Sequence, residues 1–385
     1  MFCLLFFLIL FFILSQASSL SFIVLLTLSF VFIMVHSCSY SNHGSLLSSL
    51  ISLLFGVITV FVTTTSLLIF FISYEFSLFP VCSLIILYGY QPEKINSILY
   101  LLVYTVVCSA PFLFFAVTLS GSIRSAFAEL GVHGVTLVCL SFLVKSPLYT
   151  LHSWLPKAHV EAPLVGSMLL AGVILKLGRY GLLLLAPSLG FSSSVFVYLS
   201  LLGGVICSLI CSRHWDSKSL VAYSSVVHIG AVTLGSCSGL ELGFFVASGI
   251  LVGHSLLSPL LFVLAAALYS CSGSRNLIYG YKWPGPASLL LAFGLCSGLN
   301  FGLPPFLNFW VEVSLFRLLG RSWSFSLIPL VLVALFSYLY SILFYVLSCG
   351  GPSSRLATTN HLFYVFIPSL FFSLLLAGSC SVFLY

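Results

Sequence analysis

Long apolar stretches alternate with short polar ones along almost the whole chain. Most run for about 20 residues and are apolar on every side. They have neither the two-residue alternation of a half-buried strand nor the single apolar stripe of a surface helix. About 20 residues is the length an α-helix needs to cross a bilayer. The pattern predicts about thirteen spans, at roughly 2–14, 20–36, 46–64, 66–89, 96–119, 130–154, 163–186, 193–211, 218–238, 242–270, 286–319, 323–348 and 361–385. The opening run MFCLLFFLILFFIL has no basic region before it and no small-residue cleavage site. It reads as a first membrane helix rather than a signal peptide. The longest connection, Ser272 to Gly285, is too short to hold a soluble domain.

Proline interrupts two of these spans. One contains KSPLYTLHSWLP; the other contains GLNFGLPPFLNFWVE, with Pro304 and Pro305 in tandem. Proline removes a backbone donor and clashes with the preceding turn. Within a membrane the freed carbonyls are tolerated where they line a protein-buried or wet cavity. Both breaks fall in the fourth span of a five-span block, the blocks starting near 46 and 193. A repeat with an odd number of spans inverts its own topology, as in many transporters. The expected fold is therefore all-α: a polytopic membrane helical bundle of inverted five-helix repeats with two proline-broken helices. It divides into 1–45 (N-terminal helices), 46–190 (first repeat), 191–350 (second repeat) and 351–385 (a C-terminal span).

Composition sharpens this picture. Of 385 residues, 61% are hydrophobic and only 5% charged, which excludes an ordinary soluble domain. The net charge of +6 comes from 13 thinly spread Lys and Arg residues, a loop bias rather than a nucleic-acid patch. Loops on the N-terminal side hold Lys94, Lys157, Arg213, Lys218, Arg275, Lys282 and Arg355. The other side holds Arg124, Arg179, Arg317 and Arg321, so the positive-inside rule puts the N-terminus on the inner side. The 12 cysteines fall mostly inside spans and form no CxxC pair, which suits small buried apolar residues better than disulfides or metal ligands.

Charged and titratable residues inside the spans are the candidate chemistry. A lysine at bilayer depth costs about 3 kcal/mol on insertion scales, so each one retained points to function. Lys145 follows eight almost wholly apolar residues and adjoins the first break; Lys176 sits near the middle of the next span. Glu75, in FFISYEFSLFP, is the expected partner of a buried lysine. Closing and opening such a pair would load and unload a proton. His228 and His254 are mid-span imidazoles suited to a relay, although a lone buried histidine is more often a satisfied core residue. Ser224, Ser225, Ser255 and Ser258 would hold water between them. Glu312 follows the second break by about two turns and would be the last acceptor before the outer side. His152, Lys157, His159 and Glu161 surround the first break, as a mouth of the path or as a polar loop. Arg179 is expected to reach the interface and be structural. The chain has no dinucleotide or P-loop fingerprint and no cysteine set for an iron–sulfur cluster.

The run VKSPLYTLHSWLPKAHVEAPLVGSMLLAGVILKLGRYG closely resembles the NADH–ubiquinone oxidoreductase chain 4 family. These are antiporter-like, proton-pumping subunits of mitochondrial respiratory complex I. FFISYEFSLFP, GYQPEKINSILY, DSKSLVAYSSVVHIG, GHSLLSPLLF and GLPPFLNFWVE follow the same family in order, over roughly 66 to 320. The resemblance implies that Glu75 pairs with Lys145. It implies that Lys176, His228 and His254 lie on a central hydrophilic axis and that Glu312 is an outlet acid. It also implies a multi-pass protein of the mitochondrial inner membrane, beside other antiporter-like complex I subunits and lipids such as cardiolipin, with no nucleic acid partner. The chain would then be part of a proton-translocating NADH:ubiquinone reductase without binding a cofactor or metal itself. NADH, FMN, iron–sulfur clusters and ubiquinone would belong to other subunits. Four departures stand out: one helix fewer than the family's usual fourteen, Arg179 where glycine is typical, Val311 in place of a small residue, and Pro259 poised to kink its helix. A multisubunit cation/proton antiporter is the alternative within this fold. A purely structural membrane scaffold is the alternative of another class.

Overall fold

The computed structural model describes residues 19–39, 45–119, 121–188, 194–280, 287–304, 306–322 and 326–349. The predicted spans at 2–14 and 361–385, together with Lys282, Pro305 and Arg355, lie outside the described residues. Among the described residues there is no strand, only helices and two isolated β-bridges. Among the described residues, eight helical stretches are long and apolar enough to cross a membrane.

A first helix, α1 (Ser19–Ser39), precedes two successive blocks of helices. The first block contains α2 (Ser45–Thr63), α3 (Leu67–Phe76), α4 (Leu78–Tyr88) and α5 (Lys94–Thr118). It continues with α6 (Ile123–Glu129), α7 (Val132–Lys145) and α8 (Trp154–Glu161). One long span follows: α9 (Leu164–Leu169), a π-turn over Leu170–Ile174, and α10 (Leu175–Leu185). The second block contains α11 (Ser194–Arg213), α12 (Ser217–Cys237), α13 (Glu241–Ser272) and α14 (Leu277–Gly280). It ends with α15 (Ala287–Asn300), α16 (Leu307–Ser322) and α17 (Leu327–Cys349).

Local closures recur at equivalent places in the two blocks. Ser66, before α3, bridges Ser122, before α6; Asp216, before α12, bridges Asn276, before α14. The flanking backbone bonds match too: Ile123 N donates to Thr65 O (2.9 Å), and Leu277 N donates to Trp215 O (2.8 Å). Each block therefore ties the start of its second span to the turn after its third.

Two boundaries differ from the hydropathy pattern. The span predicted over 130–154 stops as a helix at Lys145, and the chain then runs through a turn and a short 3-10 segment, Tyr149–Leu151, before α8. The span predicted over 66–89 is two helices meeting at Ser77, three residues before Pro80. Hydropathy senses apolar content and not the loss of one N–H, so it runs through both interruptions. By contrast, α13 passes Pro259 as one continuous helix.

Both broken spans are closed by a side chain from beyond the break. Trp154 Nε1 donates to Val144 O (3.0 Å) in the first, and Asn308 Nδ2 donates to Leu299 O (2.8 Å) in the second. Each donor satisfies a carbonyl at the end of the preceding half-helix, which in an apolar surrounding would cost several kcal/mol if left bare.

Burial separates an axis from a rim. An 18-residue stretch within Leu164–Ser188 is 94% buried and one within Glu241–Ser270 is 89% buried, whereas those within Lys94–Thr118 and Leu327–Ser348 are each 28% buried. The rim presents Val103, Val107 and Phe114 on α5 and Leu335 and Val346 on α17, an apolar surface suited to lipid or neighbouring apolar helices. Glycine brings the axis together. A Cβ on Gly178 of α10 would stand 2.8 Å from Phe142 O of α7, so the helices that carry Lys145 and Lys176 cross at backbone contact.

Candidate functional site

Lys145, the last residue of α7, is fully buried. Its ammonium donates to the Tyr74 carbonyl and lies 3.5 Å from Ser77 Oγ, beside the turn between α3 and α4. It also sits 3.5 Å from the centroid of the Tyr74 ring, a cation–π position. Tyr74 is held by its hydroxyl, which donates to Ser141 O (2.9 Å), and by packing against Phe61, Phe112 and Phe142. The expected Glu75 contact is not formed. Glu75 is half-buried, and its Oε1 is enclosed without a hydrogen-bond partner. Adjacent side chains on a helix point about 100° apart, so with the Tyr74 ring under the amine the Glu75 carboxylate is turned to another side in this conformation.

Lys176 is the centre of a second cluster. Its ammonium donates to the Ala171 carbonyl within the π-turn and lies 3.1 Å from His254 Nδ1 and 3.3 Å from Ser258 Oγ. π-turns widen a helix by one residue and are frequent at functional sites. His254 and His228 meet edge to face at 5.3 Å, and His228 Nε2 is 3.1 Å from Asn300 Oδ1. Asn300 ends α15 at the second break as Lys145 ends α7 at the first. A small cavity of about 50 Å³ joins His228 and His254 to Asn308 and Glu312. Glu312 rests against Gly302, whose φ of 73° is left-handed and where a Cβ would come within 2.8 Å of Glu312 Oε2. Val311 is fully buried against Gly249, which leaves room for its branched side chain.

The residues around the first break do not form one group. Lys157 is exposed over the Tyr100 ring (3.7 Å), and His152 stacks on Tyr149 at 5.1 Å. His159 is fully buried, stacked on Phe262 at 4.6 Å, with neither ring nitrogen hydrogen-bonded. Glu161 turns to a polar patch, where Gln91, its amide oriented by its neighbours, donates to Glu161 (2.6 and 2.8 Å) and accepts from Arg275 (2.8 Å). In this connection burial holds the Glu161 carboxyl above its ordinary range, with Glu93 adding to it. Burial likewise raises Asp216, in the connection between α11 and α12. Arg179 is not at the interface. It is fully buried, and none of its three nitrogens has a partner.

The sequence pattern marks neither Asn300 nor the π-turn, and it places Arg179 at the interface rather than in the core. Asn300 carries no charge to draw notice, although its place at the end of the half-helix before the proline break was a usable signal. Among the described residues no group of three His, Cys, Asp or Glu side chains could hold a metal ion.

Broken helices with amines and imidazoles strung along a buried axis define an antiporter-type membrane subunit. Residues 64–341 match the family model described as NADH:quinone oxidoreductase/Mrp antiporter, TM. NADH-ubiquinone oxidoreductase chain 4 of Artemia franciscana is 38% identical over 304 residues, covering 76% of this chain and 78% of that protein. Chain 4 of Albinaria caerulea is 38% identical over 336 residues, covering 79% of this chain and 77% of that protein. The fold is similar to a chain of respiratory complex I from Thermus thermophilus, with TM-score 0.85, 20% identity, and 93% of this chain and 80% of that one covered. It is also similar to a chain of the Mrp complex from Dietzia, with TM-score 0.82, 16% identity, and 95% and 81% covered. The chain belongs to the NADH-ubiquinone oxidoreductase chain 4 family.

Proposed function

We propose that this chain is a proton-translocating subunit of an NADH:ubiquinone oxidoreductase, multi-pass in the mitochondrial inner membrane. The observation that carries this reading is the buried run Lys176–His254–His228, opening into the cavity that holds Glu312. An amine, two imidazoles and a carboxylate, all able to carry a proton, are placed there for transfer, either directly or through one water. Lys145 and Glu75 form a separate station beside the first break, where the amine leaves the Tyr74 carbonyl for the carboxylate when the gate closes. His159, between the inner-side patch and Lys176, feeds the axis; His152 lines the approach. The repeats 46–190 and 191–350 are the two half-channels, with 1–45 and 351–385 as flanking spans.

The chain carries no redox centre in this reading. NADH, FMN, iron–sulfur clusters and ubiquinone work in other subunits, and the apolar rim packs on antiporter-like neighbours and lipid, cardiolipin included. In the assembled complex reconstituted into vesicles, Lys176→Met lowers the number of protons pumped per NADH oxidised. An unchanged ratio would refute the relay. The likeness to an Mrp complex favours one second reading, a cation/proton antiporter subunit; sodium-driven proton flux without NADH would select it.

A further inference from the structure

The relay as described leaves Arg179 without a use. Its side chain is fully buried on α10, one turn after Lys176, and Nε, Nη1 and Nη2 all lack hydrogen-bond partners. Residues three apart on a helix have Cβ atoms about 5–6 Å apart. Lys176 in turn meets His254 of α13 at 3.1 Å, and His254 meets His228 of α12 edge to face at 5.3 Å, so the residue one turn before Arg179 is the head of the cluster. A buried charge is ordinarily paired, because leaving it alone is costly. This guanidinium instead has no partner and sits one turn from a cluster of three groups that can themselves become cations.

We propose that Arg179 is a positioning residue for the relay, a fixed positive charge that limits the Lys176–His254–His228 cluster to one mobile proton; this rests on the proton-relay reading. A guanidinium does not give up its proton within proteins, so it never takes part in transfer. Taking the helix spacing of about 6 Å as the separation and an effective dielectric of about 20, it disfavours a positive charge on Lys176 roughly a hundredfold. A second mobile proton meets both this charge and the first proton. The transfer itself balances simply. An N–H bond of the Lys176 ammonium breaks, the lone pair of His254 Nδ1 takes the proton across 3.1 Å, and the positive charge moves from amine to imidazole. The cluster then passes the proton on instead of storing several.

The test uses the assembled complex in vesicles, with assembly followed by native electrophoresis and protons counted per NADH oxidised. Arg179→Gln and Arg179→Met remove the charge and keep the length; Arg179→Lys keeps the charge. The expected result is that both neutral variants lose the same step in protons per NADH that Lys176→Met loses, while Arg179→Lys pumps as the native complex does. Native pumping by the neutral variants overturns the proposal. So does failure of Arg179→Lys, which would make guanidinium shape the determinant. Assembly of Arg179→Lys alone would make the charge structural and also overturns it. If Lys176→Met pumps normally, the relay reading itself falls, whatever Arg179 does.

Discussion

Replacing Lys145 by methionine separates transport from folding. The ammonium has one strong hydrogen bond, to the Tyr74 carbonyl, a longer approach to Ser77 and a cation–π contact. A hydrogen bond to a charged group contributes about 1.5–3 kcal/mol and a desolvated cation–π contact about 2 kcal/mol. Against these stands the effective penalty for burying the ion, several kcal/mol after relaxation. Methionine fills similar space without that penalty, and such swaps are commonly neutral or stabilising by about 1–4 kcal/mol. The Tyr74 carbonyl keeps Ser77 Oγ as a donor at 2.6 Å, so no bare acceptor results. Lys145→Met should therefore assemble normally and keep its thermal stability, yet pump fewer protons per NADH. The assay is acidification of vesicles holding the reconstituted complex, with NADH oxidation followed in parallel. Full pumping in a normally assembled variant would remove Lys145 from the mechanism. Loss of assembly would show that the balance of burial and bonding is misjudged.

Three further outcomes follow. Trp154→Phe keeps the ring but removes the donor to Val144 O, so thermal stability should fall by about 1–3 kcal/mol, as read by thermal melting of the assembled complex. Gly302→Ala meets both a left-handed φ of 73° and the Glu312 carboxylate; it should cost about 1–3 kcal/mol and reduce pumping, while Gly273→Ala, also left-handed but with open space, should cost stability without touching pumping. Because Glu161 is raised, mainly by burial, the fold favours its protonated form: that stabilisation is present below the ordinary carboxylate range and is lost as pH climbs through the raised one. Glu161→Gln should flatten this part of the stability–pH curve, which melting at stepped pH would show.

The architecture was legible because its causes are local. A run of about 20 apolar residues has few options in lipid, and KSP and LPP mark where a helix must stop. Lys145, Lys176 and His254 could be named because charge and imidazole are rare in such runs. What escaped depends on side-chain geometry across helices. Whether Lys145 meets the carboxylate of Glu75 or the backbone of Tyr74 is decided by one rotation about α3. Arg179 looked long enough to reach water, but every residue of its helix α10 except Leu184 is buried, so length did not help it. Asn300 was silent because an amide is unremarkable until a histidine faces it.

The two stitches across the broken helices have a mechanical consequence. An indole N–H has a single role, so Trp154 can only hold or release Val144 O, and its bulk is locked in the core. The amide of Asn308 can swivel and both give and receive, and its oxygen already crowds Gly253 on α13. The first junction is thus a rivet and the second a swivel. Any rocking of the bundle will be taken up at the second, beside the Glu312 carboxylate.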